Sequence, residues 1–425
     1  MVSPPQNPGF SSSAVLAQLP DGEFKRQFII DCTNCHQFDA GYAYPQGKPR
    51  TREDWVSIVA RMVGFAGAAT GFPIMSPGRK AESTADWLAR HLTGLPREDA
   101  PLAPDARRGE AEVREYRLPA ERDLPHDVAV DSGGTVIVTG MMTHAMYALD
   151  TARGTFTAIP IPVPNANPRA VEVAANGDWW VLLGNPTQMA RYAPGTHRWN
   201  LYPLWLYGHS IALGKDGKAW FNGHFTRDPE QIGYIETQTG TRRVFDAPPH
   251  PALARVPGGP IPYELRLDAM GRVWMSELQG HRVLSYTPGS NAWSSHELPR
   301  SVSGPRRFDF DESGALWIPA YAGNSLVHLV PATRATREYP LPRADAAPYV
   351  ARVHGNTVWI GTNASDEVYA FDIPSGTFTV YPLPSRGAVI RHLVIDPRNR
   401  DVWLAYGGSP GIAARIARLR VARTP

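Results

Sequence analysis

The only two cysteines of the 425-residue chain lie in residues 32–36, which read CTNCH. In a C-x-x-C-H segment the thiols are one helical turn apart and can form thioethers to the two vinyl groups of a haem, while the adjacent imidazole binds the iron. A zinc site would need two further ligands, and the next histidine is His91. A labile disulfide is the alternative. The spacing therefore predicts one covalent haem c held by Cys32, Cys35 and His36.

Three helices are predicted around this motif. The first covers Leu16–Ile30 and leads into the cysteines. The second begins at Thr51, which has the spacing of a capping box with Asp54. Its apolar residues recur at helical spacing on one face, at Trp55, Ile58, Val59 and Met62. The third helix covers Ala81–Leu92, so residues 14–95 are expected to form a small all-α domain.

The segments CTNCH, TREDWVSIVARM and ADWLARHL resemble those of a family of short periplasmic cytochromes over residues 14–95. The resemblance implies a cytochrome c domain in which the methionine of the R-M pair, Met62, is the distal iron ligand. Met75, in the loop GFPIMSP, is the alternative, because many other small cytochromes carry their ligand in such a loop. Either methionine could instead fill a gap in the core. The sixth coordination position of the iron would then be open or occupied by another ligand.

Haem is attached to C-x-x-C-H outside the cytoplasm, so the motif predicts a periplasmic protein. The N-terminus, MVSPPQNP, has neither the basic start nor the apolar segment of a signal peptide, and we expect that such a peptide has been removed. No apolar run approaches the roughly 18 residues of a transmembrane helix. The net charge of +3 gives no nucleic-acid-binding footprint.

The remaining chain differs in composition from the helical domain. Residues 1–13 are expected to be a tail, residues 96–110 a Pro-rich linker, and residues 111–425 a repetitive region. The 41 prolines and 38 glycines, with few long helical patterns beyond the first hundred residues, favour a turn-rich β protein there.

A phrase of the form D-x-x-G-x-x-W, followed by a short apolar strand, recurs seven times in this region. Its aromatic or apolar positions are Ile137, Trp180, Trp220, Trp274, Trp317, Trp359 and Trp403. Each unit has room for four strands, which is typical of a propeller blade and predicts an all-β seven-bladed β-propeller. A β-solenoid is the alternative, but its coils are shorter.

The ends of the repeat predict how the ring closes. Residues 112–118 have the sequence of a blade's last strand but precede the first full repeat. We expect them to supply the outer strand of the last blade and so to remove an exposed edge. A Pro-rich insertion, Ala247–Gly259, is expected to form a loop over one face.

The repeat resembles the streptogramin lyase (virginiamycin B lyase-like) seven-bladed propellers over about residues 111–421. In those lyases a histidine, a Glu-x-His pair and a glutamate act with a magnesium ion. His209 matches the first histidine and Glu277 the glutamate, whereas Ile261 and Tyr263 replace the pair. A tyrosine with its ordinary pKa near 10 is a poor general base, which argues against the lyase reaction.

One repeat position, about eleven residues before each repeat tryptophan, is occupied by polar or aromatic residues. These are His126, Arg169, His209, Tyr263, Arg306, Tyr349 and His392. We expect them to ring the mouth of the central channel with Glu277 below them, although turn residues without a ligand would show the same pattern. Histidines that protonate near pH 6.5 would make this mouth electropositive. Such a mouth suits a small anionic or polyhydroxylated ligand, or the acidic surface of a partner.

These patterns favour an electron-transfer protein or oxidoreductase, with a haem that carries single electrons and a propeller that binds a polar or anionic substrate or a redox partner protein. A lyase or hydrolase acting in the propeller channel, with magnesium as a doubtful cofactor, is the first alternative. A non-catalytic redox- or ligand-sensing module is the second. An iron with an open sixth position would favour sensing.

Overall fold

The computed structural model describes residues 10–226, 229–254, 256, 259–300, 302–407 and 412–422. Part of the expected tail and three residues of the Ala247–Gly259 insertion lie outside this description. In the described residues, seven sheets follow a helical N-terminal segment, and the blade strands of each sheet pair antiparallel. The innermost strands of neighbouring sheets contact one another, and the last sheet contacts the first. The predicted seven-bladed propeller is therefore confirmed.

The blades follow the chain in order, with the innermost strand first. Blade 1 consists of Pro125–Val130, Val136–Gly140, Ala145–Asp150 and Thr155–Pro160. Blade 2 consists of Pro168–Val173, Trp179–Gly184, Thr187–Ala193 and Arg198–Pro203. Blade 3 consists of Gly208–Leu213, Lys218–Gly223, Gln231–Glu236 and Arg242–Asp246. Blade 4 consists of Pro262–Leu267, Val273–Glu277, Arg282–Thr287 and Ala292–Glu297. Blade 5 consists of Asp309–Phe310, Leu316–Ala320, Ser325–Val330 and Ala335–Pro340. Blade 6 consists of Pro348–His354, Thr357–Thr362, Glu367–Asp372 and Thr377–Pro382. Blade 7 contains His392–Ile395, Val402–Tyr406 and Arg415–Val421.

The repeated D-x-x-G-x-x-W phrase is a local folding device. In blade 5 the carboxylate of Asp311 accepts hydrogen bonds from the backbone N–H groups of Ser313 and Ala315 and so holds the turn. Gly314 adopts φ +82° there, a conformation that favours glycine. The other carboxylate oxygen accepts a 2.9 Å bond from the indole N–H of Trp317. One aspartate therefore fixes both the turn and the buried tryptophan of the next strand.

The segment before blade 1 covers two outer edges of the propeller. Ala111–Arg117 pairs antiparallel with Arg415–Val421 and is the fourth strand of blade 7. Arg107–Arg108, within the expected linker, pairs in parallel with Thr377–Pro382 of blade 6. Both additions remove unpaired strand edges, and the first one closes the ring.

Five α-helices precede the propeller in the part of the chain that begins at residue 10. They are α1 (Ser12–Leu16), α2 (Glu23–Cys32), α3 (Ala40–Ala43), α4 (Arg52–Ala66) and α5 (Ala81–His91), with a 3₁₀ turn at Pro45–Gly47. The single helix predicted over Leu16–Ile30 is wrong, because the chain breaks between α1 and α2. Pro20 lies in this break, and Gly22 has the non-helical φ of +145°.

The predicted capping box at the start of α4 is confirmed. The Thr51 side chain accepts from the backbone N–H of Asp54, and the Asp54 carboxylate accepts from the backbone N–H of Thr51. None of the helices in the described part of the chain is long and apolar enough to cross a membrane.

The helical segment and the propeller share one hydrophobic core. Phe28, Trp55 and Leu88 of the helices belong to the same buried cluster as Tyr321 and Ile390 of the propeller. Burial of this apolar surface fixes the position of the helices over the propeller.

A buried carboxylate ties α2 to its surroundings. Asp31 accepts a 2.8 Å hydrogen bond from Arg79 and 2.9 Å bonds from the backbone and the hydroxyl of Ser76. Gln279 of the propeller donates to it at 3.3 Å. The side chains of Asp31 and Arg79 are at most 3% exposed. The residue that precedes Cys32 is therefore held by both parts of the molecule.

We expect Asp31→Ala to lower the free energy of unfolding by about 3–5 kcal/mol, because the substitution leaves Arg79 buried without its carboxylate. Urea unfolding followed by tryptophan fluorescence measures this change. The matched control is Asp86→Ala, which removes an exposed partner of Arg52 and should leave stability near that of the wild type. Equal effects of the two substitutions would contradict the role assigned to Asp31.

Candidate functional site

The two cysteines lie at and just after the end of α2 and are not bonded to each other. Burial raises the pKa of the Cys32 thiol to about 12. Cys35 is solvent-accessible, yet burial is also the main influence that raises its pKa. The Cys35 thiol therefore opens into a recess of the molecule. The charges of Arg391, Arg306 and Arg169 partly oppose this rise.

The geometry of His36 suits a proximal haem ligand. Its Nδ1 lies 2.9 Å from the backbone carbonyl oxygen of Gln37. A carbonyl can only accept, so Nδ1 carries the proton and Nε2 keeps a free lone pair. The Gln37 side chain in turn donates to Asp366 of the propeller at 2.8 Å. This donor set of two cysteine thiols that are not bonded to each other and one oriented imidazole fits a covalent haem c.

The motif is hydrogen-bonded to the propeller at the mouth of its channel. The Tyr321 hydroxyl donates to the carbonyl oxygen of Thr33 at 2.8 Å. The Thr33 hydroxyl also lies 2.6 Å from the Tyr321 hydroxyl. The Arg391 guanidinium donates to the carbonyl oxygen of Cys35 at 2.6 Å. The candidate haem site and the propeller mouth are therefore one continuous site.

Most of the residues predicted to ring the mouth come together. The ring of His209 lies 4.3 Å from that of Tyr263 and 5.2 Å from that of His126. The hydroxyls of Tyr263 and Tyr349 are hydrogen-bonded to each other. Arg306 donates to the Tyr263 hydroxyl at 2.6 Å. All of these side chains are buried.

The arginines at the mouth lie against aromatic rings. Arg169 lies 4.6 Å from the ring centroid of Tyr207 and 6.0 Å from that of Phe72, which belongs to the helical segment. Arg306 lies 3.8 Å from the ring centroid of Tyr321. Such faces stabilise a cation and exclude water, but they leave the N–H edges of the guanidinium groups free to donate.

His392 does not join this group, and Arg391 takes its place. His392 contacts Arg352 at 3.0 Å and the carbonyl oxygen of Val128, deeper in the channel. The turn between the first two strands is one residue longer in blade 7 than in blade 1, because the backbone N–H of Asp396 donates to the carbonyl oxygen of Asp401, whereas that of Asp131 donates to Thr135. Trp403 therefore pairs with Val394, nine residues earlier, whereas Ile137 pairs with Ala129, eight residues earlier. A fixed count back from the tryptophan therefore selects the wrong residue in blade 7.

The carboxyl of Glu277 is engaged by Arg282 and Glu230, and in the described part of the chain no hydrogen bond or ion pair joins it to the mouth residues, contrary to the sequence-based expectation. It is directly opposite Arg282 in the strand pairing, and Arg282 donates to its carboxylate at 2.7 Å. Its second neighbour is the buried carboxyl of Glu230. A buried carboxylate needs a counter-charge, and Arg282 supplies it. Within the described ranges, no three His, Cys, Asp or Glu side chains are grouped as they would be to hold a magnesium ion.

His224, which follows the second strand of blade 3, also belongs to the mouth. Its ring stacks on that of His209 at 4.5 Å, and its Nδ1 lies 2.8 Å from the carbonyl oxygen of Pro262. Its Nε2 is buried without a hydrogen-bond partner. Its place at the mouth could not be read from its repeat position, because its contact with His209 depends on blade packing.

The channel below the mouth is filled by paired charges. Arg307 donates to Asp127 at 2.7 Å, and Arg352 donates to Glu264 at 2.9 Å. Arg307 also lies 3.8 Å from Glu264, so the two pairs form one network. Each buried guanidinium in this layer has a carboxylate.

The histidines do not supply the positive charge of the mouth. Burial lowers the pKa of His126 to about 4. It also holds the pKa values of His209, His224 and His392 well below 6.5. These imidazoles are therefore neutral at pH 7, and the expectation that they protonate is wrong. The positive charge comes from the arginines.

We expect the free energy of unfolding to fall as the pH decreases from 6.5 to about 4. His126 stays neutral in the folded protein over this range but takes up a proton in the unfolded chain. His126→Gln should reduce this pH-dependent loss by about 3 kcal/mol. Urea unfolding at pH 7 and pH 4 measures this loss of unfolding free energy. His197→Gln, at an exposed histidine, is the matched control. A pH dependence equal to that of the wild type in His126→Gln would contradict the assignment.

No protein-family model and no curated protein matches this chain. Solved structures do match. Virginiamycin B lyase from Staphylococcus aureus has 20% sequence identity and a TM-score of 0.65, over 74% of this chain and 100% of that one. A streptogramin B lyase structure has 20% identity and a TM-score of 0.64, over 73% and 98%. A catalytically inactive Staphylococcus aureus virginiamycin B lyase with quinupristin has 19% identity and a TM-score of 0.65, over 74% and 100%. At these identities the likeness establishes the propeller fold that the chains share.

Proposed function

We propose that this chain is a periplasmic haem c protein that transfers single electrons, and that its propeller mouth binds a polar or anionic substrate or a redox partner. The observation that carries the proposal is the placement of the C-x-x-C-H segment against the mouth. Tyr321 and Arg391 of the propeller hold the backbone of Thr33 and Cys35. A ligand in the mouth would therefore lie beside the proposed haem.

Each residue of the motif has a defined role in this proposal. Cys32 and Cys35 would form the two thioethers, and the oriented Nε2 of His36 would bind the iron. A bound haem c supplies one-electron oxidation and reduction. The helical segment that carries the motif would act as a cytochrome c domain. Phe72 and the aromatic residues of the mouth would exclude water from the space beside the proposed haem.

Met62 is the proposed distal ligand, with Met75 as the alternative. Met62 is half-buried on α4, and Met75 is 3% exposed in the loop before α5. The backbone N–H of Met75 donates to the carbonyl oxygen of Ala66 at 2.9 Å. The bond between the next residue, Ser76, and Asp31 holds the same loop next to α2.

Covalent attachment is the first test. In a host that matures c-type cytochromes, the purified protein should keep its haem absorbance after acid–acetone extraction, because thioethers resist this treatment. Cys32→Ala with Cys35→Ala should lose it, whereas Ser76→Ala, outside the motif, should retain it. Extraction of all haem from the wild type would contradict the assignment.

The distal ligand is tested by substitution. Met62→Ala should abolish the thioether–iron charge-transfer band of the ferric protein, because this band requires a sulfur ligand. Met75→Ala is the matched comparison and should retain the band. Loss of the band only in Met75→Ala would reverse the assignment, and a high-spin spectrum in the wild type would favour the sensing module.

Electron transfer itself is tested by anaerobic reduction of the matured protein with candidate periplasmic substrates, followed in the visible spectrum. A protein whose haem is reduced by neither small substrates nor a partner cytochrome would contradict the redox proposal.

A lyase or hydrolase acting in the channel is the second candidate, and the propeller likeness favours it. His209 and Tyr263 are in contact at the mouth. Burial raises the pKa of Tyr263 well above 10, so its phenol stays protonated and can donate but not abstract a proton. His209 would have to act as the base. Turnover of quinupristin that is lost in His209→Ala would support this candidate.

A further inference from the structure

Three buried arginines at the mouth have no carboxylate partner. Arg169, Arg306 and Arg391 are 4%, 0% and 3% exposed. In the part of the chain that the structure describes, no Asp or Glu side chain forms an ion pair with any of them. Elsewhere the chain does pair its buried arginines. Arg282 has Glu277 at 2.7 Å and Arg343 has Glu367 at 2.5 Å. The mouth is therefore an exception within the molecule.

The N–H groups of these arginines are also incompletely used. Nε and Nη1 of Arg169, Nε and Nη2 of Arg306, and Nη1 of Arg391 are buried without a hydrogen-bond partner. Burial of an uncompensated charge with free donors is unfavourable by several kcal/mol. The aromatic faces beside Arg169 and Arg306 interact with the planes of the guanidinium groups and not with these donors.

Among the described residues, no neighbouring group serves as the missing anion. The phenols of Tyr263 and Tyr321 are protonated, because burial raises the pKa of both. The histidines beside them are neutral. The carboxylates of the next layer, Asp127 and Glu264, are held by Arg307 and Arg352. The free donors of the mouth are therefore available to an anion from outside the polypeptide.

The three groups also point to one place. Arg391 donates to the carbonyl oxygen of Cys35 at 2.6 Å, and Arg306 lies against Tyr321, whose hydroxyl donates to the carbonyl oxygen of Thr33. Arg169 lies 6.0 Å from the ring centroid of Phe72 of the helical segment, at the same junction between that segment and the propeller. Planar guanidinium groups bind carboxylates through two parallel hydrogen bonds, so carboxylate is the chemistry that this arrangement recognises.

We propose that Arg169, Arg306 and Arg391 form a carboxylate-binding site between the C-x-x-C-H segment and the propeller channel. The site deepens the proposed function, on which its relation to the haem rests. The carboxylate has two available sources, a small carboxylic acid that enters the mouth and the propionate side chains of the attached haem. The filled channel below limits an entering ligand to a small one.

The first arm of the test is calorimetric titration of the matured full-length protein with succinate, with neutral succinamide as the matched ligand. Succinate should bind and succinamide should not. Arg169→Gln and Arg306→Gln should each weaken succinate binding about tenfold or more, as expected for the loss of a hydrogen bond between charged groups. Arg169→Lys should restore part of the affinity, which separates charge from packing.

The control variant is Arg272→Gln, whose arginine is paired with Asp268 in a turn of blade 4 outside the mouth. It should bind succinate like the wild type. Circular dichroism shows whether each variant is folded, and the Lys variants replace any Gln variant that is not.

The second arm distinguishes the haem propionates as the source. If they occupy the arginines, succinate does not bind, and Arg169→Gln and Arg306→Gln lower the haem midpoint potential relative to Arg272→Gln, because a positive charge beside the haem is lost. Absence of succinate binding together with unchanged potentials would overturn the carboxylate site. If the protein carries no haem, the redox proposal fails separately, and succinate titration of the haem-free chain alone decides the site.

Discussion

The hydrogen bonds from Tyr321 and Arg391 to the backbone of the C-x-x-C-H segment are the contacts on which the site depends. They attach residues 33 and 35 of the helical segment to blades 5 and 7 of the propeller. Asp31 and Gln37, on either side of the motif, make further bonds to propeller residues. Because the shared hydrophobic core supports these bonds, the motif is positioned by the propeller as much as by its own helix.

Charge is distributed differently in the two layers of the channel. The lower layer pairs Arg307 and Arg352 with Asp127 and Glu264, so it is close to neutral and closed by its own interactions. The upper layer, next to the motif, holds arginines, neutral histidines and protonated phenols. A buried layer of this kind is stabilised when an anion occupies it, so the lower layer suits a structural role and the upper layer suits ligand binding.

Sequence reasoning predicted the parts of the structure that depend on local interactions. The seven blades could be counted because the repeated phrase is a local folding unit, as the turn and indole hydrogen bonds of Asp268 and Asp311 show. The capping box at Thr51 was predicted for the same reason. The break before α2 was missed, although Pro20 was a sufficient signal for it.

The errors at the site have different causes. Arg391 was missed for a local reason, because the turn from Asp396 to Asp401 in blade 7 is one residue longer than the turn from Asp131 to Thr135 in blade 1 and shifts a fixed count from the tryptophan by one residue. The other errors are non-local. Glu277 was misplaced because its partner, Arg282, lies on the next strand. The protonation of the histidines was wrong because burial between blades lowers their pKa values. The repeat position could be read from the sequence, but the charges that surround each residue in the folded ring could not.

The central claim is that a haem attached to Cys32 and Cys35 lies beside the arginines of the propeller mouth. The most direct measurement is the position of the iron in crystals of the matured full-length protein, located by anomalous scattering. The account predicts a single iron next to Nε2 of His36, on the side of the motif that faces Arg306 and Arg391. A matured protein without iron, or an iron on the outer face of the helical segment, would contradict it.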